Sequence, residues 1–225
     1  MRLFWAFSLS PLLYFPASSR LYGQEWRIMG GYNFLMANSW NNALSTYYYA
    51  RPFLKGRESY LQSGISLSVG KIFSSFKATA HGIFMDYSNA ICFYKDLPFK
   101  LSITYHELII MYRLHLSKAD MKKGVYGTFG AGPTFAGLFR ASRAGLDPVY
   151  HSRQFEPGGG VRFGLEAGWR HPAFRHKLNL GLYCRPGVSV LHIPHAESVF
   201  TQIRSDYVPV FYFLPSANAG LVIAF

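Results

Sequence analysis

Seven ionisable residues fall at matching positions of alternating segments: Glu107, Arg113 and His115 in one, Arg162, Glu166 and Arg170 in a second, and Arg185 in a third. Their spacings within a segment are even. In an extended chain successive side chains point to opposite sides, so each group shares one face. Acids and arginines collected on an enclosed face can pair into a network of charge-assisted hydrogen bonds, or they can line a path for ions. If Glu107 and Glu166 lost their arginine partners, each buried charge left alone would cost on the order of 3–5 kcal/mol.

Other residues of suggestive type lead nowhere chemically. Gly127-Thr128-Phe129-Gly130-Ala131-Gly132 and Gly158-Gly159-Gly160 have the composition of phosphate-cradling loops. Such loops need a following helix whose N-terminus receives the anion, and no segment of helical period follows either of them. His171 with His176, and His192 with His195, flank turns at spacings that match no zinc pattern, and no cysteine accompanies them. No metal and no cofactor is expected. Cys92 and Cys184 do not make a disulfide framework in a chain of this size, and both are expected as free thiols.

The elements that would position the charged face are strands. Half of the 225 residues are hydrophobic and 18% are aromatic, so the composition is not that of a disordered chain. The long apolar run lies at the start: Arg2, then mainly apolar residues to Ala17, then small residues Ala17, Ser18 and Ser19. This is the plan of a secretory signal peptide, expected over residues 1–23 with cleavage near 19–23. Residues 24–225 then form the mature domain. A helical membrane protein is disfavoured there, because each crossing needs about 20 mostly apolar residues.

From Glu25 onward the chain alternates with period two. Val161, Phe163, Leu165, Ala167 and Trp169 alternate with Arg162, Gly164, Glu166, Gly168 and Arg170; Leu61, Ser63, Ile65, Leu67 and Val69 with Gln62, Gly64, Ser66, Ser68 and Gly70; Leu178, Leu180, Leu182 and Cys184 with Asn179, Gly181, Tyr183 and Arg185. A water-soluble barrel would carry many solvated charges on the polar face. Here that face is Gly, Ser, Asn and Tyr with a few charges, as suits a barrel with apolar side chains against lipid and small or polar ones in a narrow lumen.

The expected fold is all-β: an eight-stranded antiparallel up-and-down transmembrane β-barrel, with strands over residues 25–36, 60–73, 76–87, 101–116, 125–139, 159–170, 178–191 and 207–225. The third alternates least cleanly. Connections are expected long after strands one, three, five and seven and short after the others, matching long external loops and short periplasmic turns. The net charge of +12 is spread along the chain with no nucleic-acid motif, so nucleic acid is not an expected partner; lipid headgroups of the outer membrane and lipopolysaccharide are. Arg51, Lys55, Arg57, Arg140 and Arg143 are assigned to long loops where they would meet lipopolysaccharide phosphates. Aromatic residues Tyr47, Tyr48, Tyr49, Phe53 and Tyr60, and Phe211, Tyr212 and Phe213, are read as interfacial girdles.

Three resemblances add to this reading. Leu221, Ile223 and Phe225, alternating to a terminal aromatic residue, resemble the C-terminal signal that outer-membrane proteins present to the barrel-assembly machinery. Tyr105-His106-Glu107-Leu108-Ile109-Ile110-Met111-Tyr112-Arg113 and the Gly130-Ala131-Gly132-Pro133 stretch are similar to strands of the small outer-membrane β-barrels of Bacteroidetes, the PorT-like or porin-family barrels. The family has Pro inside the aliphatic run where this chain has Ile109 and Ile110. That resemblance implies an OmpA/OmpX-like architecture and permits a role in envelope integrity, adhesion or secretion through an envelope or secretion partner. Asp86-Tyr87-Ser88-Asn89-Ala90 resembles the His-x-Ser-Asn-Ala stretch of lipid A deacylase barrels, in which a histidine activates the serine. Asp86 stands in place of that histidine, so an enzyme using Ser88 would need His81 or His106 from elsewhere, oriented by Glu107. The leading expectation is a non-enzymatic barrel with a filled lumen. The alternatives are a lipid A-modifying hydrolase and a secreted soluble barrel holding an apolar ligand.

Overall fold

The computed structural model describes residues 24–38, 40–42, 45, 60–74, 80–95, 99–115, 124–144, 152–173, 178–194, 196 and 211–225. Eight strands follow in order: β1 (Gln24–Leu35), β2 (Ser63–Ser74), β3 (Ala80–Lys95), β4 (Phe99–His115), β5 (Gly124–Ala144), β6 (Ser152–Ala173), β7 (Leu178–His192) and β8 (Tyr212–Ala224). Each pairs antiparallel with its neighbours in sequence, and β1 pairs with β8, so the sheet closes into a barrel. Closure leaves no strand edge unpaired, the condition for β-structure where water is missing. Past the last strand, the backbone of Phe225 still exchanges two hydrogen bonds with Trp26, at 2.8 and 3.0 Å.

Period-two patterning decides which face each residue takes. Trp26, Ile28, Tyr32 and Phe34 of β1, Ile65, Leu67 and Val69 of β2, Phe163, Leu165 and Trp169 of β6, and Leu221, Ile223 and Phe225 at the chain's end are all exposed on the outside. Arg27, Ser66, Ser68, Arg162, Glu166, Arg170, Asn179 and Arg185, at the other parity, are buried inside. This is the reverse of a water-soluble protein, in which charge faces out. Crossing a hydrocarbon core takes about 9–11 residues of tilted strand. β5 has 21 residues and β6 has 22, so both run well past that thickness.

β1, β3, β5 and β7 end, and β2, β4, β6 and β8 begin, at one end of the barrel, here the distal end. The opposite strand ends lie at the other, the proximal end, together with Gln24 and Phe225. β5 begins at Gly124, whose φ of 96° is a conformation that a side chain resists.

The structure corrects the sequence reading in several places, among them the start of β6, at Ser152 rather than near residue 159, which leaves only residues 145–151 between it and β5. β3 runs to Lys95 rather than ending near residue 87, so the connection after it is residues 96–98 and not a long loop. Asp86 to Ala90 therefore sit mid-strand. β5 runs to Ala144, which takes Arg140 and Arg143 off the loop to which they were assigned; the Arg140 side chain is buried. Leu61 precedes β2 and is wholly buried rather than lipid-facing, and Tyr212 points into the bore while Phe211 and Phe213 point out. For the strand ends the physical reason is that hairpins continue pairing beyond the greasy belt, where neither face is held to the apolar/polar alternation that marks a strand in sequence; Leu61 and Tyr212 instead join an apolar cluster inside the bore.

Candidate functional site: the charged lumen

Inward side chains occupy the bore in layers. Its middle holds two ion-pair clusters. In the first, Arg113 from β4 donates through Nη2 to both oxygens of Asp86 on β3, at 2.6 and 2.7 Å, and through Nη1 to Oε2 of Glu166 on β6, at 2.9 Å. Its guanidinium also lies over the Phe84 ring, 3.8 Å from the centroid, and bonds the Ser68 hydroxyl at 3.2 Å. Arg185 from β7 donates to the second Asp86 oxygen at 3.0 Å and stands 3.7 Å from Glu166. Two acids and two arginines thus share one cluster.

In the second, Glu107 of β4 accepts from Arg162 of β6 at 3.2 Å, from Thr134 of β5 at 2.9 Å and from Ser189 of β7 at 2.5 Å, with the Ser88 hydroxyl at 3.5 Å. Arg162 extends to Ser216 of β8 at 2.6 Å. Donors from β3, β5, β6 and β7 thus surround this one carboxylate of β4. The chemistry is pairing, since each charge meets an opposite charge or a hydroxyl fixed by packing.

At the proximal end, Glu25, Arg27, Arg170, Tyr126 and His115 form a third polar group. The Tyr126 ring lies directly over Gly168, where a Cβ would collide with it. Above that group, Met29, Ile72, Phe84, Tyr183 and Val222 form an apolar layer. The distal mouth is closed by a larger apolar cluster of Leu35, Leu61, Ile103, Tyr105, Leu138, Leu191, Tyr212 and Leu214 around Trp40. Trp40 rides a helical turn, in which Asn41 N–H donates to Ala37 at 2.8 Å, and packs against Tyr105 and Tyr212 at 5.3 and 5.4 Å. Asn41 fastens this turn by bonding both the N–H and the carbonyl of Leu61, at 2.9 and 3.3 Å. An eight-stranded barrel has an interior just wide enough for side chains or one small ligand, so an apolar lid fits as well as a polar one.

Glu107, Arg113, His115, Arg162, Glu166, Arg170 and Arg185 all face this interior and are buried. Asp86, Glu25, Arg27, Ser189 and Ser216 complete the pairings and were not singled out from sequence. Parity would have placed Arg27 opposite Trp26 and Ile28. Asp86 was read as a departure from a motif rather than as an acid at inward parity.

The residues of the hydrolase alternative do not assemble. Ser88 is buried in the lumen beside Glu107, but the His81 ring lies on the outer face of β3, bonded to the hydroxyl of Tyr112. His106 is also outside, bonded to the hydroxyl of Tyr87 at 2.8 Å and to Thr104 at 3.1 Å. A serine nucleophile needs a base within hydrogen-bond reach, and both histidines stand on the wrong side of the barrel wall. Among the described residues no group of His, Cys, Asp and Glu could hold a metal ion. Cys92 is buried and Cys184 exposed on the outer face, and neither is in a disulfide.

Arg51, Lys55 and Arg57 lie outside the described residues, as do Tyr47 to Tyr49, Phe53, His176, His195 and residues 1–23, over which a signal peptide is expected.

No family model matches the chain, and no curated protein matches it. Solved structures do. Neisserial surface protein A is 11% identical over 90% of this chain and 96% of its own, with a TM-score of 0.43. Ail, the attachment invasion locus protein of Yersinia pestis, in complex with the heparin analogue sucrose octasulfate, is 6% identical over 91% of this chain and 100% of its own, with a TM-score of 0.47. The outer membrane protein OprG from Pseudomonas aeruginosa is 9% identical over 90% of this chain and 96% of its own, with a TM-score of 0.42.

Proposed function

We propose that the chain is a non-enzymatic barrel of a bacterial outer membrane, sealed along its bore, that acts through its distal loops or its proximal turns. The observation that carries this reading is the inverted face assignment: an exterior band of Trp, Phe, Leu, Ile and Val around an interior of buried ion pairs. Apolar surface of this extent around a closed sheet is favourable against lipid tails and unfavourable against water. Single-chain barrels of even strand number with this exterior are the outer-membrane solution to crossing a bilayer.

The filled bore argues against a pore. Glu107 is held by Arg162 and the hydroxyls of Thr134 and Ser189, and Asp86 by Arg113 and Arg185, donors that a passing ion would have to displace, and Trp40 stoppers the distal mouth. Function is then left to the barrel ends, where lipopolysaccharide phosphates can meet basic loop residues and an envelope or secretion partner can dock. The likeness of residues 105–113 and 127–135 to PorT-like barrels favours envelope integrity, adhesion or secretion as the setting, and the alternating Leu221, Ile223 and Phe225 on the outer face fit recognition by the barrel-assembly machinery.

Fractionation of the cell envelope tests the location. The protein is expected in the detergent-extracted outer-membrane fraction, and recovery in a buffer wash would overturn the reading. Planar bilayers test the seal: no stable conductance is expected from the purified protein, and large steady currents would contradict it.

A further inference from the structure

We propose that the proximal end of the lumen binds one small monovalent anion of the halide class, held by Arg27 together with Arg170. Both arginines bond the same atom, Oε1 of Glu25, through Nε of Arg27 at 2.5 Å and Nη1 of Arg170 at 2.6 Å. Both guanidiniums also lie against the ring of Tyr126, 5.0 and 4.8 Å from its centroid. Two fixed positive charges therefore converge on one carboxylate, and the group carries a unit of positive charge in excess.

That excess is held away from solvent. Arg27 is 0% exposed and Arg170 2%. Both terminal nitrogens of Arg27 are buried without a hydrogen-bond partner, and so is Nε of Arg170. A guanidinium cannot shed its proton, so these N–H groups require an acceptor. The other buried arginines set the contrast: Arg113 and Arg162 each donate through both terminal nitrogens, to acids and hydroxyls, while Arg27 donates through neither. Among the described residues Glu166 is engaged through Oε2 by Arg113 and Arg185, and its Oε1 makes no hydrogen bond to Arg27 or Arg170. Nε2 of His115 is likewise buried and unpartnered and can donate to the same guest, whereas the Tyr126 hydroxyl faces Glu166.

Charge and access narrow the ligand. One monovalent anion neutralises the excess, whereas a divalent phosphate would return a negative charge beside Glu25. A headgroup tethered to a lipid cannot follow into a site this enclosed. A compact halide accepts several N–H donors without demanding a fixed geometry.

Crystals of the wild-type protein grown in bromide test this directly. An anomalous peak in contact with Arg27 and Arg170 is expected, and ordered water alone at that position would overturn the proposal. In solution, unfolding midpoints are compared in chloride and in isethionate at equal ionic strength. An anion that binds only the folded state at about ten times its Kd raises the folding equilibrium constant about tenfold. The wild type is expected to show that rise in chloride and R27Q to show none. Equal midpoints for the wild type in both salts, or a chloride response retained in full by R27Q, would overturn it; if R27Q does not fold, the bromide peak in the wild type decides.

Discussion

Replacing Arg162 by Met isolates the worth of a single lumen pair. Arg162 supplies the cation that bonds Glu107, at 3.2 Å, and both side chains are 1% exposed. At that separation and an effective dielectric constant near 20, the attraction is about 5 kcal/mol. R162M leaves the Glu107 carboxylate with the hydroxyls of Thr134 and Ser189 but with no cation bonded to it among the described residues. Stranding one partner of a buried pair costs about 3–5 kcal/mol, so the folding equilibrium should fall roughly a thousandfold. The double variant R162M/E107Q removes both charges and keeps the hydroxyl contacts. It should recover to within about 1–2 kcal/mol of wild type, because a buried pair replaced as a pair is close to neutral. The assay is urea unfolding of the protein in lipid vesicles, followed by tryptophan fluorescence and combined as a double-mutant cycle. R162M within about 1 kcal/mol of wild type, or a double variant no better than R162M, would refute the reasoning, since either would mean that Glu107 is solvated rather than sealed in.

Other perturbations separate the parts of the account. W40A removes the ring packed between Tyr105 and Tyr212 and should cost about 3–5 kcal/mol in the same assay. It should create no conductance, because the ion-pair layers beneath remain. L165R puts a cation on the outer face and should cost about 2–4 kcal/mol if that residue meets the hydrocarbon midplane, against little change if it meets water. S88A removes a hydroxyl 3.5 Å from Glu107 and should cost about 1 kcal/mol or less, with lipid A mass spectra identical to those of the wild-type strain.

The barrel was legible wherever one face met lipid and the other met the packed bore. β6 reads cleanly because Val161, Phe163, Leu165 and Trp169 are all outside while Arg162, Glu166 and Arg170 are all inside. β3 reads poorly for two physical reasons. On its outer face His81 and Tyr87 are polar, and each is satisfied by a partner across the pair on β4, Tyr112 and His106, which no local pattern reveals. On its inner face Phe84, Ala90 and Cys92 are apolar because the bore has apolar layers as well as charged ones.

The site was legible in part. Parity alone brings Glu107, Arg113, Arg162, Glu166, Arg170 and Arg185 to the interior, but which acid meets which arginine depends on register across non-adjacent strands. Arg113 reaches Glu166 across β5, and Arg185 reaches Asp86 from the far side of the bore. The Trp40 lid lies on a connection, where nothing in the alternation predicts that a helical turn folds inward.

The inverted face assignment is tested most directly by a nitroxide scan through residues 161–170 in lipid vesicles, comparing collision with oxygen and with a water-soluble nickel chelate. Labels at 161, 163, 165, 167 and 169 should favour oxygen strongly and resist the chelate, alternating with protected labels at the even positions. Chelate access at the odd positions, or loss of the alternation, would contradict it.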